Sequence, residues 1–135
     1  MDVWKAAGTS IDMFSPDFYF PNIKYWCDLY TRQNNPLFIP EHKFDNTVSA
    51  KALFTIGHYK SLGFSPFSIE QIPELDLLPK EEKLAKTYNV INQIHPILHQ
   101  NQNKVEGVLL NNENKKTVFT LGDYEFTASH TYNLG

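Results

Sequence analysis

The stretch that most constrains this chain is 35–41, with the sequence NPLFIPE. Its centre, 37–39, is a continuous apolar run, which is typical of a strand that is covered on both faces in a parallel sheet. Pro36 and Pro40 flank the run, and proline favours strand ends and edges because it has no N–H to donate. The pattern therefore predicts a short buried strand that delivers Glu41 to its C-terminal end, the rim where α/β folds build their active sites.

Two other stretches have the same form, 11–20 (IDMFSPDFYF) and 63–69 (GFSPFSI). Apolar residues at helical spacing follow each of the three stretches and predict a helix that Asn22 caps and that runs to about Tyr30, a helix over 47–60 and a helix from Pro79 onward. The order β-α-β-α-β-α with short connections favours a parallel sheet with right-handed crossovers.

Two further prolines set boundaries within these elements. Pro16 predicts that regular pairing of the first strand stops near Ser15, before Asp17 and Tyr19. Pro96 predicts a kink or an end in the third helix, because it removes a helical hydrogen bond and its ring crowds the preceding turn.

After the third helix the sequence becomes rich in short β-prone runs. These runs cover 105–110, 117–121 and 124–129, and turn-forming residues separate them. We therefore expect an antiparallel meander in the C-terminal part. The change in pattern predicts two domains, 1–100 and 101–135.

Composition is that of an ordinary globular chain of 135 residues, with 41% hydrophobic and 20% charged residues. The net charge of −3 and the scattered lysines and arginines argue against a nucleic-acid partner. No apolar run reaches the roughly 20 residues of a membrane-spanning helix. Cys27 is the single cysteine, so no internal disulfide is possible, and we expect it to be a packed core thiol.

The blocks IDMFSPDFYFPN, NPLFIPE, AKALF and GFSPFSIE resemble the last three units of the (β/α)8 barrel of clan A glycoside hydrolases. The similarity is greatest to the bacterial β-galactosidase-like members grouped with families 35 and 42. The segment from Val105 onward resembles the first strands of the small β domain that follows this barrel. The resemblance implies an α/β fold in which 1–100 holds strands 6–8 of a TIM barrel and 101–135 starts a β-sandwich-like domain.

The same resemblance assigns catalytic roles to two residues. In this clan the glutamate at the end of barrel strand 7 is the nucleophile of a retaining mechanism, and Glu41 stands at the matching position. A tyrosine near the end of strand 6 usually hydrogen-bonds that nucleophile, which makes Tyr19 the candidate. Without the resemblance, a solvated loop acid and an ordinary interior tyrosine are equally open interpretations.

Four more residues are candidates for substrate binding. Asp17 lies beside Tyr19, and His42 follows the candidate nucleophile. Phe67 and Phe64 stand where many relatives have a tryptophan that forms the floor of the sugar subsite. The open alternatives are a loop-capping role for Asp17, a solvated loop position for His42 and core packing for the two phenylalanines.

A retaining glycosidase needs two carboxyl groups about 5–5.5 Å apart, one as nucleophile and one as acid/base. The clan places its acid/base at the end of strand 4, which has no counterpart here. The resemblance therefore implies a fragment of a hydrolase of β-galactosides or related β-glycosides that is inactive alone. It implies a carbohydrate partner and no metal or cofactor. Oligomeric state stays open, as does location, since a bacterial parent of this type is periplasmic, secreted or cytoplasmic.

Two other functions remain open from the sequence. The aromatic fraction of 14% also fits a non-catalytic carbohydrate-binding or interaction module. The element order also fits a small doubly wound α/β protein with an added hairpin. Nucleotide binding and serine hydrolysis lack their glycine-rich motifs, and the histidines lack the spacing of a metal site.

Overall fold

The structure, a computed structural model, describes residues 2–8, 10–71, 77–112 and 114–130. Over these ranges the chain is a mixed α/β protein with four α-helices and two small sheets. The helices are α1 (Asp2–Ala7), α2 (Ile23–Tyr30), α3 (Val48–Tyr59) and α4 (Pro79–Gln100). The strands are β1 (Asp17–Phe18), β2 (Ile39–His42), β3 (Phe64–Pro66), β4 (Lys116–Leu121) and β5 (Tyr124–Ser129). The last residues of the predicted second domain, 131–135, lie outside the described ranges.

The first sheet is parallel, with β2 between β1 and β3. Helices α2, α3 and α4 follow the three strands in turn, as the sequence pattern predicts. The buried core consists of strand and helix side chains together with Leu37, which precedes β2. Its members are Phe18, Ile23, Cys27, Leu37, Ile39, Val48, Ala52, Phe54, Phe64, Leu84 and Ile91. In the described part of the chain β1 and β3 are the edges of this sheet.

The predicted first strand is in the wrong place. Pairing begins after Pro16, over Asp17–Phe18, and does not stop before it. Proline directly before the first paired residue removes no ladder hydrogen bond. Upstream of β1, the buried side-chain amide of Asn35 makes the hydrogen bonds that a neighbouring strand would otherwise make. Its Oδ1 accepts the N–H of Phe14 at 2.9 Å, and its Nδ2 donates to the carbonyl of Phe14 at 3.0 Å.

The predicted second strand is shifted by two to three residues. It covers 39–42 and contains Pro40, where the sequence predicted 37–39 with Pro40 as a boundary. Ile39 is opposite Phe64 and His42 is opposite Pro66, so β2 has one residue more than β3 between these pairs. This bulge accommodates the missing N–H of Pro40 in a central strand.

Two predictions for the C-terminal part also need correction. Helix α4 continues through Pro96. Because proline has no N–H, the carbonyl of Asn92 loses its helical donor, and Asn92 lies in an exposed turn of the helix. Residues 105–110 form no strand, so the expected three-stranded meander is a two-stranded hairpin of β4 and β5. Gly122 supplies the positive φ of 61° that its turn requires.

The unpaired segment 105–110 is held instead by the C-terminal end of α3. An alanine Cβ at Gly107 would lie 2.6 Å from the backbone nitrogen of His58, so two backbones are in direct contact there. His58 Nδ1 is paired with Glu106 Oε1, and Lys60 Nζ donates to the carbonyl of Val105 at 2.6 Å. Among the described residues no helix is both long and apolar enough to cross a membrane.

Candidate functional site

The C-terminal ends of the three parallel strands meet at one edge of the sheet. Asp17 is opposite Glu41 in the ladder between β1 and β2. Just beyond, the N–H of Lys43 donates to the carbonyl of Phe18 at 2.9 Å. The N–H of Phe67 donates to the last carbonyl of β2 at 2.8 Å, which holds the end of β3 beside the other two.

Glu41 and Tyr19 form the centre of this edge. The Tyr19 hydroxyl donates a hydrogen bond to Oε1 of Glu41. Glu41 is half-buried, and Tyr19 is 45% exposed. The hydrogen bond to Glu41 raises the pKa of Tyr19 to about 12, and burial and the charges of Glu41 and Asp17 act in the same direction. The phenol therefore stays protonated at neutral pH and remains a donor to the carboxylate.

Asp17 is the second carboxyl group at this edge. It is exposed, and its backbone lies directly beside that of Glu41. Paired residues of neighbouring parallel strands point to the same face of a sheet, so the two carboxyl groups share one face. A carboxylate held by a phenolic donor beside a second carboxyl group can attack or stabilise an electron-poor carbon.

His42 does not lie in the polar loop that was expected after Glu41. It is the last residue of β2, it is 1% exposed, and it points to the opposite face from its neighbour in the strand. Its Nδ1 lies 2.6 Å from the carbonyl of Lys43, while Nε2 has no partner among the described residues. Burial lowers the pKa of His42, so it is a neutral core histidine and not a cleft-lining residue.

The two candidate phenylalanines have different environments. Phe64 is 6% exposed and its ring centroid lies 5.1 Å from that of His42, so it belongs to the core and not to a sugar subsite. Phe67 follows β3 directly and is 54% exposed at the rim. Of these two side chains only Phe67 is exposed, and its role in sugar binding stays a prediction.

One further aromatic residue just after the end of β1, Phe20, was not singled out from the sequence. Phe20 is exposed directly after Tyr19, and its ring centroid lies 5.5 Å from that of Trp26 on α2. The FYF run was visible in the sequence, but periodicity did not show which of its rings faces solvent. In the described part of the chain no group of three or more histidine, cysteine, aspartate or glutamate side chains is arranged to hold a metal ion.

Comparison with known families finds a match in the C-terminal part of the chain. Residues 84–134 match a family described as a domain of unknown function, DUF5597. The DUF5597 match begins within α4 and includes the hairpin of β4 and β5. It covers less than half of the chain and none of the candidate site residues. No curated protein matches the chain.

Proposed function

We propose that this chain is part of a retaining glycoside hydrolase acting on β-galactosides or related β-glycosides, with Glu41 as its nucleophile. The observation that carries the proposal is the hydrogen bond from Tyr19 to Glu41 at the C-terminal ends of parallel strands. A glycosidase nucleophile must remain an anion, and a phenolic donor stabilises that anion. In this proposal Tyr19 orients Glu41 and the exposed Phe67 lies along the sugar site.

In this proposal β1, β2 and β3 are strands 6–8 of a (β/α)8 barrel, and the hairpin begins a following β domain. Two observations support it: the sheet is parallel, and β1 and β3 each have an edge with no strand partner in the described residues. Parallel sheets are normally covered on both faces, and closure into a barrel would also remove both edges. The acid/base would then come from the part of the barrel that this chain does not contain, so the chain alone is inactive.

The test uses the polypeptide that contains all eight β-α units. Glu41→Gln should lower kcat for a nitrophenyl β-galactoside by roughly 10⁴-fold or more, because the attacking group is lost. Azide should restore turnover to Glu41→Ala and yield the α-galactosyl azide, since the small anion attacks from the vacated face. Glu125→Gln, which changes an exposed carboxylate on β5, is the matched control and should keep the parental kcat.

Two outcomes would exclude this proposal. One is a parental kcat in Glu41→Gln. The other is an upstream reading frame without β-α units or without a glutamate at the end of the fourth strand.

A second candidate, a non-catalytic carbohydrate-binding module, is favoured by one observation: the aromatic rings of Phe20 and Phe67 are exposed just after the ends of β1 and β3. Such rings stack on sugars without any need for an acid/base. Titration of the 135-residue chain with methyl β-galactoside, followed by NMR, separates the candidates. Saturable shifts at these rings without hydrolysis favour the module, and their absence favours the hydrolase fragment.

A further inference from the structure

A cavity of about 400 Å³ is lined by helix residues and by the C-terminal segment, and by none of the candidate residues at the strand ends. One wall is formed by the start of α2 and by one side of α3, and the other by residues 106–109 and β4. Its volume is within the range of small-molecule binding sites and is far larger than an ordinary packing defect.

The cavity is preformed because, at one of its ends, the C-terminal segment is fixed against α3. The contact of Gly107 with α3 and the pair of His58 with Glu106 hold the segment directly against the helix. Further along, residues of α3 and of β4, among them Phe54 and Phe119, line the open space. Phe54, Phe119 and Val108 give the cavity apolar walls that suit the body of an organic molecule.

Lys51 is the charged group of the lining that can bind an anion. The carboxylate of Glu106 is already used, because Oε1 contacts His58 and accepts the N–H of Gly107 at 2.8 Å. The side chain of Lys51 is only 17% exposed, and its one hydrogen bond within the described residues is a 3.3 Å contact to Asp45. An ammonium group has three N–H donors, so Lys51 has donors left for a ligand.

Asp45 contacts Lys51 through Oδ2 alone. Its Oδ1 accepts the N–H of Thr47 at 2.8 Å and the Thr47 hydroxyl at 2.5 Å. Lys24 also lines the cavity, but its ammonium group already donates to Asp28 at 2.8 Å. Lys51 is a partly buried cation with a single long contact. A ligand carboxylate that reaches it inside an apolar space would form a strong, charge-assisted hydrogen bond.

We propose that this cavity is a binding site for a small organic anion with an apolar body, of which benzoate is the simplest example. The carboxylate would bind Lys51 and the ring would pack between Phe54 and Phe119. The site shares no residue with the edge formed by Glu41 and Tyr19. The proposal therefore does not depend on the glycosidase proposal, and each can fail alone.

The test is a titration of the 135-residue chain with sodium benzoate, followed by amide NMR and by calorimetry. We expect saturable shifts at Ile23, Val108 and Phe119. Benzyl alcohol, which has the same ring without the charge, should bind at least about 10-fold more weakly, as expected for loss of a charged hydrogen bond. Lys51→Met should weaken benzoate binding by a similar factor and leave benzyl alcohol binding unchanged.

Two control variants separate the charge from a general disturbance of the fold. Lys51→Arg keeps the cation and should retain benzoate affinity to within about 3-fold. Lys116→Met removes an exposed lysine of β4 and should leave the affinity unchanged. The proposal is overturned by the absence of saturable shifts at about 20 mM benzoate, a range that includes weak sites. Equal affinities for benzoate and benzyl alcohol, or full benzoate affinity in Lys51→Met, would also overturn it.

Discussion

The hydroxyl of Tyr19 contacts the carboxylate of Glu41 although 22 positions separate the two residues in the chain. The contact follows from the parallel register that sets Asp17 opposite Glu41. Tyr19 comes two residues after Asp17, just past the end of β1, and its ring reaches across to the neighbouring strand. The candidate site thus depends on the pairing of two very short strands.

Removal of the carboxylate charge should change the ionisation of the phenol. In Glu41→Gln the pKa of Tyr19 should fall from about 12 toward its ordinary value of 10.0, because the accepting group and its charge are both lost. Asp17→Asn should lower this pKa less, since Asp17 acts through its charge alone. The pKa is measured by NMR of ¹³C-labelled tyrosine, with Tyr19→Phe for assignment. A pKa that stays near 12 in Glu41→Gln would contradict the observed geometry.

Burial of His42 should make stability depend on pH. Its pKa in the folded chain is below the ordinary 6.5, because burial opposes the charge and the Lys51 cation adds to this. The carbonyl of Lys43 and the carboxylate of Asp45 act in the opposite direction but do not reverse the shift. On acidification the unfolded chain therefore binds a proton first. The contribution of neutral His42 to the free energy of unfolding is complete above about pH 6.5. It is lost as the pH falls toward the pKa of His42 in the folded chain.

Urea unfolding between pH 5 and pH 8 measures this dependence. For a single proton the slope is at most ~1.4 kcal/mol per pH unit. His42→Leu should flatten the slope, while His95→Leu, at an exposed position of α4, should leave it as it is. An equal slope in the parent and in His42→Leu would show that another group is responsible.

Cys27 should be inert in the folded chain. Its thiol is completely buried, and burial raises its pKa to about 12, with a further contribution from the Asp28 charge. A thiol reagent at pH 8 should therefore label the chain no faster than it unfolds, since the thiolate is the reactive form. Labelling is followed by absorbance in native buffer and in about 6 M urea, where exposed thiols react freely. Complete labelling within seconds in native buffer would refute the buried position.

The glycine contact between α3 and the C-terminal segment should be sensitive to a single methyl group. Gly107→Ala would place Cβ 2.6 Å from His58 N and 2.8 Å from Phe54 O, and neither backbone atom can move away cheaply. We expect a loss of about 1–3 kcal/mol in the free energy of unfolding, as for other overpacked sites. Chemical denaturation measures the loss, and amide exchange shows whether residues 105–110 separate from the helix.

Gly122→Ala provides the comparison for that experiment. No atom lies within 4 Å of the position of its Cβ, so only its positive φ opposes the change. This cost is about 1–2 kcal/mol and should be confined to the hairpin. If Gly107→Ala leaves both stability and exchange at residues 105–110 unchanged, the close backbone contact is not present in solution.

Local sequence patterns predicted the helices well and the strands less well. Asn22 caps α2 through its Oδ1, which accepts the N–H of Tyr25 at 3.3 Å, and the helix ends at Tyr30, both as predicted. Such signals depend on neighbours within one helical turn. The boundaries of β1 and β2 were misplaced because Asn35 and the bulge at Pro40 compensate for missing ladder hydrogen bonds. Both compensations involve residues that are distant in the sequence.

By itself, the sequence indicated that Glu41 would lie near the C-terminal end of a parallel strand, although the strand that it predicted, 37–39, is displaced from β2. Only the tertiary structure decided that Glu41 faces the rim while His42 enters the core, and that Phe67 is exposed while Phe64 is buried. The physical reason is register. Side chains alternate between the two faces of a strand, so one bulge or a one-residue shift exchanges the faces, and only pairing with other strands determines that shift.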